Sequence, residues 1–145
     1  MAESIVLHFS SANWKELNEA LSELATSSQT RGAKLWRYPS DAENDVTAYE
    51  YDDILGEYED GDRQRLIERL GSPPSASLCI ELRGSKGKAA VESAAALAIE
   101  LLKRFNGVVD DLWSEPHLWN LSEIEQRVEK DGKSFLGHYR DRLRS

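Results

Sequence analysis

The sequence predicts an α+β fold, a mainly antiparallel sheet with helices packed on one face. Three observations lead there. Short runs of strand-forming residues recur from Ile5 to Val109. Segments with apolar residues at three- and four-residue spacing fall between them. Two of the strand-like runs, 34–38 and 46–51, are separated only by Pro39, Ser40 and the turn-forming stretch Asp41 to Asp45, which reads as a hairpin. Strands that alternate with helices but include a hairpin favour an antiparallel sheet over a parallel one.

Each element has a local reason. Ile5-Val6-Leu7-His8-Phe9 is a compact apolar run and reads as a buried strand. Ser10, Ser11 and Asn13 then offer side-chain oxygens for a helix N-cap. Trp14, Leu17, Leu21 and Leu24 follow on one helical face, with Lys15, Glu16, Glu19 and Glu23 outside it. Ser27, Ser28 and Gly32 read as a loop. Lys34-Leu35-Trp36-Arg37-Tyr38 alternates polar and apolar residues, the pattern of a half-buried strand, and Pro39 stops it. Residues 46–51 are again strand-forming, with Val46, Ala48 and Tyr51 as candidates for burial.

A short helix begins at Gly61-Asp62, buries Leu66, Ile67 and Leu70, and ends at Gly71. Pro73-Pro74 forces an extended entry into Ser77 to Leu82, where Leu78, Ile80 and Leu82 share one face. The strongest helical pattern runs from Lys88 to Phe105, and its alanines permit close approach to a sheet. Asn106-Gly107 signals a left-handed cap or turn before a last strand at Val108-Val109. Trp113 to Trp119 reads as an aromatic loop, and Leu121 to Ile124 as the start of a final helix with Ser122 as its cap. From Glu125 to Ser145 the chain is mostly charged and is expected to be loosely packed. This order suits a ferredoxin-like sandwich with a C-terminal helical extension, in one domain over residues 1–145.

Composition bounds the function. A chain of 145 residues with 40% hydrophobic and 30% charged residues has enough apolar material for one core. Cys79 is the only cysteine, so neither an internal disulfide nor a cysteine-based zinc site can form. No apolar run approaches the roughly 20 residues needed to cross a bilayer, and the start of the chain lacks a secretory pattern. A cytoplasmic location is the expectation.

The histidines and other reactive groups give weak signals. His8 lies in an apolar strand, His117 in a loop and His138 in the charged tail, with no partner at metal-ligand spacing. Cys79 lacks the neighbouring base and electropositive setting that a nucleophile needs. Gly84-Ser85-Lys86-Gly87-Lys88 sits where phosphate loops live, but Ala89 stands where such a loop requires Ser or Thr. Asp110 and Asp111, with Glu115 and His117 nearby, are the candidate residues for a metal-dependent enzyme; adjacent strand residues point to opposite faces, which opposes convergence. No cofactor is implied.

The acidic segment is the strongest signal. Net charge is −8, yet from Tyr38 to Asp62 the chain holds ten acids and no Lys or Arg. Ten of the 26 acids fall there, so the remaining 16 face 18 basic residues. Tyr49, Tyr51 and Tyr58 are interleaved with the acids, and Tyr is enriched at protein interfaces. Such a surface repels nucleic acid and anionic membranes and attracts a basic protein, whose encounter it would accelerate. The candidate partner-binding residues are Glu50, Tyr51, Asp52, Asp53, Glu57, Tyr58, Glu59 and Asp60. Two rivals stand beside this reading: the metal-dependent enzyme above, and a structural subunit that self-associates through an edge strand or the Trp113 to Trp119 loop.

The chain resembles the small acidic immunity proteins of bacterial toxin–immunity systems, including those of contact-dependent growth inhibition. The likeness rests on Leu78-Cys79-Ile80-Glu81-Leu82, the helix ending Leu101-Leu102-Lys103-Arg104-Phe105, then Asn106-Gly107-Val108-Val109-Asp110-Asp111 and Trp119-Asn120-Leu121-Ser122-Glu123-Ile124, about a third of the chain. The resemblance implies a non-enzymatic inhibitor that binds one cognate toxin tightly in the cytoplasm; the acidic segment points to a toxin with a basic surface, such as the substrate groove of a nuclease. Oligomeric state does not follow from it.

Overall fold

A computed structural model describes residues 3–30, 33–38, 46–51, 59–82, 87–111, 118–129 and 135–136. The elements in chain order are β1 (Glu3–Phe9), α1 (Trp14–Leu24), β2 (Thr26–Thr30), β3 (Ala33–Tyr38), β4 (Val46–Glu50), α2 (Asp60–Leu70), β5 (Ala76–Leu82), α3 (Gly87–Arg104), β6 (Gly107–Asp110), β7 (Leu118–Trp119) and α4 (Leu121–Glu125). The strands form one sheet in the order β2-β3-β4-β5-β1-β6-β7, and every neighbouring pair is antiparallel.

The expected α+β class and ferredoxin-like order hold. At the centre, β6-β1-β5-β4 is the arrangement in which β5 separates β1 from β4 and β1 separates β5 from β6. The β2–β3 hairpin extends this core at one edge, β7 extends it at the other, and α2 is inserted between β4 and β5.

Alternation along the strands explains the layers. Ile5, Leu7 and Phe9 of β1, Leu78, Ile80 and Leu82 of β5, Ala48 of β4 and Val109 of β6 face one side, where Leu17, Ala20 and Leu21 of α1 meet them. From α3, Ala90, Ala94, Leu97, Ala98 and Leu101 join the same core. The alanines bring the helix axis close to the sheet, and the leucines fill the remaining volume. The other face carries Val6, His8, Ser77, Cys79, Glu81, Thr47 and Tyr49. There α2 packs Leu66 and Leu70 against Val108 and Leu118 in a second, smaller cluster. Thus α1 and α3 share one face while α2 covers part of the other.

Local rules fix the helix ends. Among the three candidate caps, Asn13 holds the position: its side chain accepts from the Glu16 N–H at 2.9 Å, and Glu16 accepts from the Asn13 N–H at 3.2 Å. The final helix uses Asn120, not the expected Ser122, in the same reciprocal arrangement with Glu123. Gly71 closes α2 at φ 90°, the left-handed geometry that glycine adopts without strain.

Two expectations change. Ser27 and Ser28, read as loop, lie within β2 and pair with Trp36 and Leu35. Their polar side chains give no alternation, so only the pairing with β3 makes this strand. Gly107 opens β6 instead of capping α3 in the left-handed region. A Cβ there would stand 2.5 Å from the His8 carbonyl oxygen and 2.9 Å from Phe9 Cδ1. Space, not φ, demands glycine.

Of the charged segment beginning at Glu125, Phe135 and Leu136 are buried in the main core. The Trp119 and Phe135 rings lie 6.1 Å apart, tilted at 57°. Residues 130–134 and 137–145 lie outside the described residues.

Candidate functional site

The antiparallel ladder between β4 and β5 positions the first part of the acidic segment. Thr47 lies opposite Glu81, Tyr49 opposite Cys79, and Glu50 opposite Leu78. One residue further, the Tyr51 N–H donates to the Ser77 carbonyl at 3.0 Å, so Tyr51 continues the ladder beyond Glu50. Glu50 is exposed and Tyr51 half-buried.

The last part of the segment enters α2. Glu59 is the N-cap residue and Asp60 the first helical position, and both are exposed. Acids here suit the positive end of the helix dipole, as Arg69 suits the other end. Arg63 approaches Asp60 at 3.6 Å, and Arg65 approaches Asp62 at 2.8 Å. The cations just beyond the segment therefore compensate two of its acids locally, through surface pairs of small individual value. Of the candidate partner-binding residues, the structure places Glu50 and Tyr51 at the end of β4, and Glu59 and Asp60 at the start of α2. Asp52, Asp53, Glu57 and Tyr58 lie outside the described residues.

On the polar face of the sheet the structure assembles groups that the sequence kept apart. His8 Nδ1 lies 2.8 Å from Ser77 Oγ, across 69 residues of chain. A serine beside a histidine invites a catalytic reading. Both are buried, however, His8 completely. Burial pushes the imidazole down to about 4, so it is neutral near pH 7. A neutral, enclosed histidine bonded to a serine is a core polar pair, and no route to a substrate is evident in its complete burial.

One row along, the Tyr49 hydroxyl donates to Glu81 Oε1 at 3.0 Å. Its pKa is raised, first by burial and then by the Cys79 thiol and the Glu81 carboxylate. Cys79 itself is buried. The phenol stays protonated and acts as a donor, holding the Glu81 side chain in place.

The residues proposed for a metal enzyme part company. Asp110 lies opposite Val6 on β6 and is half-buried. Asp111 is fully buried, where Oδ2 accepts the Leu136 N–H at 3.4 Å. Glu115 and His117 lie outside the described residues, as does the greater part of the Trp113 to Trp119 loop; its end forms β7. Among the described residues, no group of three or more His, Cys, Asp or Glu side chains is arranged to hold a metal ion. No described helix is long and apolar enough to cross a membrane.

Sequence reasoning missed the His8–Ser77 and Tyr49–Glu81 bonds. Both depend on strand register, for which neither partner carries a local signal. Compared with known proteins, the chain matches no family model, no curated protein and no solved structure.

Proposed function

We propose that this chain is an immunity- or antitoxin-type protein that binds a cognate toxin domain with a basic surface and neutralises it by covering its active site. The acidic segment forms the contact, and the protein performs no chemistry of its own. The observation that carries this reading is the placement of acids at both described ends of the segment: Glu50 leaving β4, and Glu59 and Asp60 entering α2, all exposed. Between the β4 and α2 acids no cation occurs in the sequence. A run of acids without a cation attracts a basic groove at a distance and would occupy it on contact. Tyr51 supplies an aromatic anchor beside it.

The metal-enzyme alternative is less well supported, because Asp111 is enclosed and already bonded to the Leu136 backbone. The test first asks whether a protein with a basic C-terminal toxin domain is encoded beside this chain's gene, and takes that domain as the binding partner. Charge reversal in a Glu50→Lys, Asp53→Lys, Glu59→Lys variant is expected to weaken binding at least tenfold and abolish protection of cells that express the toxin. Full protection by a folded triple variant would refute the assignment of this surface.

A further inference from the structure

A groove of about 510 Å³ lies between α3, α4 and Phe135, far in sequence from the acidic segment. That volume lies within the range of small-molecule sites. Ala95, Ala96 and Ile99 of α3 form one wall, and Ile124 of α4 and Phe135 form the other. Ile99 and Ile124 are only half-buried, so the groove presents apolar surface to solvent.

Arg127 stands at the rim and is exposed. Its backbone has φ 55°, in the left-handed region. The reason is the way α4 closes: the Arg127 N–H donates to the Ile124 carbonyl at 3.2 Å and the Val128 N–H to the Glu123 carbonyl at 3.0 Å. The residue between those bonds is ordinarily glycine. An arginine held there stores backbone strain, and such strain is found where a side chain is needed.

The charge of Arg127 points the same way. Arg63, Arg65, Arg69 and Arg104 each meet a carboxylate. No carboxylate of the described residues pairs with Arg127. Glu92, also on the groove, is already engaged in another interaction. Half-buried apolar side chains beside a guanidinium with no ion partner among the described residues match a ligand with an apolar body and one anionic end, since guanidinium and carboxylate bond in a two-pronged geometry.

We propose that this groove binds a small amphipathic carboxylate, with its aryl or branched alkyl body against Ala96, Ile99 and Ile124 and its carboxylate on Arg127. This site is independent of the toxin-binding reading. The test is an NMR titration of the whole chain, following the Ile99 and Ile124 methyl signals, with phenylacetate and its neutral analogue phenylacetamide. Phenylacetate is expected to shift both signals saturably and to bind roughly tenfold more tightly than phenylacetamide. Arg127→Gln should erase that preference. Arg127→Gly should erase it as well while raising Tm by about 2–5 °C, because the strain is relieved. Arg65→Gln, on α2, should leave binding unchanged. Equal binding of the two compounds, no response to either, or unaltered phenylacetate binding by Arg127→Gln would each overturn the proposal.

Discussion

His8 shows how one residue couples position to stability. It sits in β1, an interior strand, facing the side of the sheet that α1 and α3 leave, and it is neutral in the fold. Its folded pKa, about 4, lies below the ordinary value of 6.5. The unfolded chain therefore binds a proton more readily as pH falls below 6.5, and the fold loses stability until the folded pKa is passed. The loss should total about 3 kcal/mol between pH 6.5 and 4. Denaturant unfolding across that range checks it, and His8→Gln should flatten this part of the profile. Gly107 makes a second prediction at the same scale. Gly107→Ala places a methyl group against the His8 carbonyl in the middle of the sheet and should cost about 1–3 kcal/mol in the same experiment. A cost near zero would mean that β1 and β6 separate easily, contrary to the packing described.

At the scale of elements, α2 is the addition that must be anchored. Leu66 and Leu70 attach it to Val108 and Leu118. Arg69 adds a polar tie: Nε donates to the Leu118 carbonyl at 3.2 Å, and the guanidinium pairs with Glu123. Since Glu123 also completes the capping box of α4, this one arginine joins α2, β7 and α4. Arg69→Met should cost about 1 kcal/mol, chiefly the lost carbonyl bond, and should speed amide hydrogen exchange in α2 and at Leu118. Unchanged exchange there would show that the apolar contacts alone hold α2. The elements also show what the sequence could reveal. Strands β1 and β5 and helix α3 were legible because their apolar periodicity is strong. Strand β2 was not, because Thr26-Ser27-Ser28-Gln29-Thr30 has no apolar face and takes its conformation from β3. The cap of α4 was misplaced by two residues, because Asn120 and Ser122 are both good caps and each stands three residues before a glutamate, Glu123 and Glu125; only the fold selects Asn120.

For the whole molecule, the sheet order decides what comes together. Class and approximate order were readable from alternating strands and helices, but the pairing of His8 with Ser77 and of Asp111 with Leu136 was not. Those contacts join residues far apart in the chain; the first depends on strand register and the second on where Phe135 and Leu136 fold back into the core. The acidic segment was legible as composition; its division between a strand end and a helix start, and the compensation of Asp60 and Asp62 by Arg63 and Arg65, required the fold. The charge asymmetry that remains is the basis of the proposed function. It is tested most directly by the association rate with a basic toxin domain identified beside this chain's gene, measured by stopped flow as salt is raised from 50 to 500 mM. The rate should fall steeply with salt, and the Glu50→Lys, Asp53→Lys, Glu59→Lys variant should start lower and lose most of that dependence. An association rate that responds neither to salt nor to charge reversal would contradict the account.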